Sequence, residues 1–136
     1  MTYLLDTGVW LRGAAQQMTL PLPIRRILAS KDETFGLSAI SIWEVGKKHQ
    51  IGKLQLSSNF HSWLNTSLTP QIEILPLVPG LVADAMRMPN FPNRDPADEL
   101  IVATARFHDL TLLTTDTALK GYAHAKIHYF KPLDAA

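Results

Sequence analysis

"YLLDTGVW", residues 3 to 10, decides the fold. A short apolar run ends on Asp6, and Thr7 and Gly8 follow at once. Two architectures present an aspartate in this way. An aspartic protease carries its catalytic carboxylate in an Asp-Thr-Gly turn within an all-β domain. A parallel α/β protein uses a strand end to deliver a carboxylate to the rim of its sheet. The residues after Asp6 separate the two. Thr7 to Ala15 reads as helix, as does most of the chain, and a small protease of the retroviral type would be all-β. Asp6 is therefore read as a strand-end ligand.

Outward from this stretch, strands and helices alternate. "LPLPIRRILAS" (20–30) reads as a second helix with Pro23 near its first turn, where a missing N–H costs nothing. "TFGLS" (34–38) is a short strand, and "SAISIWEVGKKHQIG" (38–52) a helix closed by Gly52. "SNFHSWLNTSL" (58–68) is a helix capped by Ser57 or Ser58. "IEILPL" is a strand, and residues 79–88 a short helix starting near Pro79. "MPNFPNRDP" (88–96) holds three prolines and is loop. "PADELIVATARFHD" is a strong helix opened by Pro96, "TLLTT" a strand, "DTALKGY" a helical turn and "KIHYF" a final strand. The alternation implies βαβ units: an α/β/α sandwich around a central, mainly parallel sheet of about five strands.

The chain has 136 residues, no repeat and no linker-like tract, so a single domain over 1–136 is expected. Hydrophobic residues make up 46% and charged residues 18%, which excludes disorder. There is no cysteine, hence no disulfide, thiolate metal site or cysteine nucleophile. No signal-peptide pattern opens the chain, and no apolar run approaches the roughly 18 residues that span a bilayer. A cytoplasmic protein without membrane contact is expected. The net charge of +1 leaves any nucleic-acid contact to a local patch.

Four acids stand out. Asp6 and Asp116 each follow an apolar strand and belong on the same rim, although each could equally cap the helical turn behind it. Asp98 lies one turn into its helix, behind the cap Asp95 and Pro96. Steps of three, four and seven from it reach Ile101, Val102 and Ala105. It thus points along the apolar face, where an ionised carboxylate is costly unless paired. Glu44 sits between Ile40 and Ser41 on one side and Lys47 and Lys48 on the other, at the border of core and solvent. Gathered by the sheet, such carboxylates repel one another and call for a cation. An oxygen-only ligand set selects a hard ion, Mg²⁺ or Mn²⁺. The chemistry implied is metal-assisted phosphodiester hydrolysis.

"YLLDTGVWL", "SAISIWEVGKK" and "RDPADELIVATARFHDLTLLTTD", in that order, resemble PIN-domain ribonucleases, most closely the VapC toxins of bacterial toxin–antitoxin pairs. The resemblance covers nearly the whole chain. It implies a metal-dependent endoribonuclease whose catalytic and metal-binding acids fall on Asp6, Glu44, Asp98 and Asp116. The family's Thr beside the last acid falls on Thr114, whose hydroxyl would orient a ligand or water. Asp95 matches an acid common in one branch and is read first as a helix cap. The resemblance further implies an RNA substrate, a homodimer, and a cognate VapB-type antitoxin that reaches the carboxylates with a basic side chain. Glu99 stands where many relatives carry Arg, and Ala97 where many carry an aromatic residue. These departures bear on substrate choice and packing and leave the acids intact.

Arg12, Lys47, Lys48 and Arg94 are candidates for phosphate contacts. The five histidines show no ligand spacing and read as surface residues. Trp43 and Trp63 fall on apolar stripes and read as core. Trp10 reads as core, with base stacking or a dimer surface as alternatives. Two other functions compete. An aspartyl-phosphate phosphatase would use Asp6 as nucleophile, but Gly8 stands where such enzymes normally place a second Asp. A non-catalytic PIN-like binding domain would have little use for clustered acids, which only destabilise it.

Overall fold

All five strands of the sheet run parallel, in the order β3-β2-β1-β4-β5. The structure is a computed structural model describing residues 1–133. In chain order its elements are β1 (Tyr3–Leu5), α1 (Thr7–Ala15), α2 (Leu22–Leu28), β2 (Phe35–Ser38), α3 (Ala39–Gln50), α4 (Phe60–Ser67), β3 (Ile72–Leu75), α5 (Pro79–Ala85), α6 (Pro96–Phe107), β4 (Thr111–Thr114) and β5 (Ile127–Tyr129). Short 3₁₀ turns occupy Gln17–Thr19 and Thr117–Leu119. The first of these was not foreseen in the sequence.

A parallel sheet covered on both faces needs apolar side chains on both faces. The central strands supply them by alternation. Leu4 of β1 and Leu112 of β4 enter a core with Leu81, Ile101, Val102 and Ala105 from α5 and α6. Leu5 and Leu113, one residue on, enter the opposite core with Val9, Trp10, Ile24, Val45 and Trp63. The PIN-like α/β/α layering expected from the sequence is therefore observed. Gly36 in β2 lets its neighbours pack close: a Cβ there would lie 2.9 Å from Leu75 Cδ1 and 3.1 Å from Leu4 Cδ1, and those side-chain ends would have to shift. Gly52, at φ 79°, closes α3 as expected.

The chain steps from β1 outward to β2 and β3, then returns to lay β4 on the other side of β1. Neighbouring strands β1 and β4 thus lead away in opposite directions. In an open parallel sheet, the crevice beyond the carboxyl ends at such a switch point is where ligands bind. Asp6 leaves β1 there, and Asp116 follows β4 by two residues.

Two expectations need correction. The cap of α4 is Asn59, whose side chain accepts the Ser62 N–H at 2.9 Å, and not Ser57 or Ser58; the helix begins at Phe60, one residue later than a Ser58 cap would place it. Trp43 is 60% exposed and not core. The buried positions of α3 are Ser41, Glu44 and Val45, and Trp43 lies on the opposite face with Lys47 and Gln50. Trp10 is core as first read, donating its indole N–H to Ser67 O at 3.1 Å, so it offers no surface for stacking or dimerisation. Trp63 is buried, and every histidine but the half-buried His49 is exposed. Among the described residues no helix is long and apolar enough to cross a membrane.

Candidate functional site

Asp6 is fixed by its backbone before its side chain is considered. Its N–H continues the β1–β4 ladder to Leu113 O at 3.0 Å, and its carbonyl accepts Val9 and Trp10 N–H to start α1. The carboxylate caps that helix through Oδ1, which accepts the Thr7 N–H at 2.9 Å. Oδ2 accepts the Thr114 hydroxyl at 2.5 Å. The residue is buried, and burial pushes its pKa up. The Thr114 and Thr7 hydrogen bonds oppose that shift, while the negative charges of Glu44 and Asp116 add to it. The capping reading and the rim reading of Asp6 are thus both true of one side chain.

Thr114 serves two acids. While donating to Asp6 it accepts the Asp116 N–H at 3.0 Å, so one fully buried hydroxyl spans the ends of β1 and β4. Asp116 is half-buried and caps the 3₁₀ turn through the Ala118 N–H at 2.9 Å. Glu44 is buried on α3. Its Oε1 accepts the Thr7 hydroxyl at 2.7 Å, and its Oε2 meets Lys48 Nζ at 3.1 Å. Thr7 Oγ1 also lies 2.8 Å from Ser41 Oγ, so Thr7 joins the first strand end to α3. The sequence reading passed over Thr7 and Ser41. The signal was available: Thr7 follows the strand-end acid, and Ser41 precedes Glu44 by three residues on the same helical face.

Asp98 stands in the first turn of α6, half-buried, and accepts Asn93 Nδ2 at 2.9 Å. Its pKa is pushed up to about 7, by burial first and then by the charges of Asp95, Asp6 and Asp116, with the Asn93 bond opposing. Asp95 is the cap of α6, accepting the Ala97 N–H at 2.9 Å. Asn93, also unforeseen, takes the Asp95 N–H on Oδ1 while its amide donates to Asp98. One carboxylate oxygen each of Glu44, Asp95 and Asp98 lies within 4.8 Å of the other two, a spacing at which they could hold a metal ion. Asp6 and Asp116 stand close enough for their charges to act on Asp98.

The basic candidates divide. Lys48 is on Glu44, whereas exposed Lys47 turns to Gln50 Oε1 at 3.0 Å. Arg94 is exposed and Arg12 half-buried, and neither forms an ion pair among the described residues.

The PIN domain model matches residues 3–125, so the chain belongs to the PIN-domain family. It is 30% identical over 125 residues to Ribonuclease VapC22 of Mycobacterium tuberculosis (strain ATCC 25618 / H37Rv), covering 92% of this chain and 95% of that one. Two solved structures share its fold. The DNA-bound VapBC of Salmonella typhimurium is 14% identical with a TM-score of 0.73, covering 95% of this chain and 98% of that chain. A toxin–antitoxin complex from Klebsiella pneumoniae is 15% identical with a TM-score of 0.65, covering 96% and 99%.

Proposed function

We propose that this chain is a metal-dependent endoribonuclease, acting as the toxin of a VapBC-type toxin–antitoxin pair in the cytoplasm, with residues 1–136 forming one PIN-like domain. The observation that carries the reading is the gathering of acids from two strand ends and two helices at the switch point of the sheet. Family membership and the likeness to a ribonuclease over most of both chains support it.

In this reading Asp6, Glu44, Asp98 and Asp116 are the ligands. Every donor is a carboxylate oxygen, which fits a hard cation, Mg²⁺ or Mn²⁺. Such a cation, when bound, supplies a nucleophilic water near neutral pH and stabilises the leaving oxygen of a phosphodiester. The protein's own part is placement. Thr114 and the Thr7 N–H hold the Asp6 carboxylate in one orientation. The Thr7 hydroxyl holds Glu44. Asn93 holds Asp98. Arg12, Lys47, Lys48 and Arg94 are proposed to contact RNA phosphates. Lys48 reaches the Glu44 carboxylate already and so links that role to the site.

RNA cleavage by the purified chain is expected with Mg²⁺ or Mn²⁺ and is expected to stop with excess EDTA. Cleavage that continues undiminished in EDTA overturns the metal-dependent reading. A homodimer and an antitoxin partner are also proposed, the latter supported by the likeness to the Klebsiella complex. Light scattering that shows only monomer across micromolar concentrations removes the dimer.

A further inference from the structure

Two of the three tryptophans are used by the core and one is not. Trp10 and Trp63 are 2% and 4% exposed and pack ring against ring, whereas Trp43 is 60% exposed. An indole left in water forgoes one of the largest apolar burials a side chain offers. Among the described residues no aromatic ring stacks on Trp43 and no cation lies over it. Its place on α3 is specific. Trp43 directly precedes Glu44, and Lys47 lies four residues from the one and three from the other, so Lys47 borders both on the helix surface. Lys48 follows and is already on Glu44. A strip of ring, ammonium and carboxylate thus runs round α3 into the acid site. The exposed positions of α3 are Trp43, Lys47, Lys48 and Gln50, and none is acidic. An aromatic ring beside lysines is a surface suited to a single nucleic-acid strand: phosphates meet the cations and a base lies on the ring. A second copy of this chain fits less well. A symmetric contact centred on Trp43 would bring the Lys47 side chains of the two copies together, with no acid on the helix face to answer them.

We propose that Trp43 is a base-stacking platform: an unpaired base of a single-stranded RNA lies on its indole, while Lys47 and Lys48 hold the strand's phosphates toward the acid site. This rests on the ribonuclease reading above and narrows its substrate to a strand with a base free of pairing near the cut. Every base has a π-face, so the platform positions the strand without choosing its sequence. The stacking role that buried Trp10 cannot serve thus falls to Trp43.

The test uses the purified full chain carrying Asp6→Asn, with Mg²⁺, so that bound RNA stays whole. The probes are a short single-stranded RNA pool of mixed sequence, the same pool as duplex, and an abasic ribose-phosphate strand of equal length. Because Trp10 and Trp63 are buried, quenching of the tryptophan emission on titration reads Trp43. The single strands are expected to quench it, and the duplex and the abasic strand to leave it nearly unchanged. W43L keeps an apolar side chain but has no π-face, and is expected to bind the single strands about tenfold more weakly. W43F restores a ring and is expected to bind within about threefold of the parent. Both variants should melt with the parent, since the residue is mostly in solvent. Single strands that bind without quenching, a duplex that quenches equally, or a W43L chain that binds single strands as tightly as the parent overturns the inference. So does a W43L chain that light scattering finds smaller than the parent, which assigns Trp43 to a contact between copies. If the Asp6→Asn chain binds no single strand, the inference falls, and the nuclease reading is left to the cleavage assay with and without EDTA.

Discussion

The two halves of the acid site are built differently. On the sheet side, Asp6 is buried, its backbone is part of the β1–β4 ladder, and both its carboxylate oxygens are bonded. On the loop side, Asp98 is half-buried, is held by one bond from Asn93, and faces Asp95. Asn93 belongs to the proline-rich segment before α6. The inner half is therefore set by the same hydrogen bonds that make the fold. The outer half is set by a loop, and there burial first, and then the neighbouring carboxylates, hold Asp98 up to about 7. We expect the inner half to determine whether there is a site, and the outer half to respond to what occupies it.

The largest effect should come from the inner half. Asp6→Asn keeps the α1 cap and the shape but removes the charge. RNA cleavage should fall by about two to three orders of magnitude, the scale seen when a group that stabilises developing charge is lost. The melting temperature in EDTA should hold or rise, because a buried carboxylate no longer has to be accommodated. Full activity in this variant, measured on protein free of contaminating nuclease, would break the assignment of Asp6.

Next in size are the supports. Thr114→Val is nearly isosteric yet strips one hydroxyl from two partners, leaving the Asp116 N–H and Asp6 Oδ2 each short of a bond. A stability loss of about 1–3 kcal/mol is expected from urea melts, with cleavage reduced about 10- to 100-fold. Asn93→Ala, on the outer half, should cost less than about 1 kcal/mol, since solvent reaches the groups it leaves. Equal costs for the two substitutions would erase the contrast between the halves.

How much of this was legible in sequence follows the same division. β1, β4 and their strand-end acids announce themselves because a buried parallel strand is a run of apolar residues with an abrupt stop. Asp6 and Asp116 mark those stops. Asp98 could be placed from helical periodicity alone, because Ile101, Val102 and Ala105 fix its face. Thr7, Ser41 and Asn93 could not be ranked in advance. A small polar residue carries no periodic signal, and its role depends on which element the fold sets opposite it. Trp43 misled for a related reason. Its helix carries a buried stripe of Ser41, Glu44 and Val45, so the polar-looking face is the inner one and the tryptophan is left outside.

The smallest expected effect is the most discriminating. Asp98 has an ordinary pKa of 3.8 when the chain is unfolded and about 7 when it is folded without metal. Below about pH 4 the carboxyl is protonated in both states and carries no penalty. As pH rises through 7 the folded state must ionise it in an unfavourable place, so metal-free stability falls over that window. Asp98 is partly exposed, and solvent screening reduces the loss to roughly 1 kcal/mol. Asp98→Asn removes the titration while keeping the shape. In EDTA at pH 8 the variant should therefore be more stable than the parent by about 1 kcal/mol, roughly 3–4 °C in melting temperature for a chain of this size. At pH 4 that advantage should be nearly gone. A first-turn acid that merely supports a helix end makes the opposite prediction. Its ionised form stabilises α6 by about 0.3–1 kcal/mol, so Asn should be the weaker residue at pH 8. Paired melts at the two pH values decide the sign. A parent more stable than Asp98→Asn at pH 8 would mean that the outer half is a helix end and nothing more. A variant that gains at pH 8 and no longer gains stability from Mn²⁺ would mean that its charge is kept for a cation.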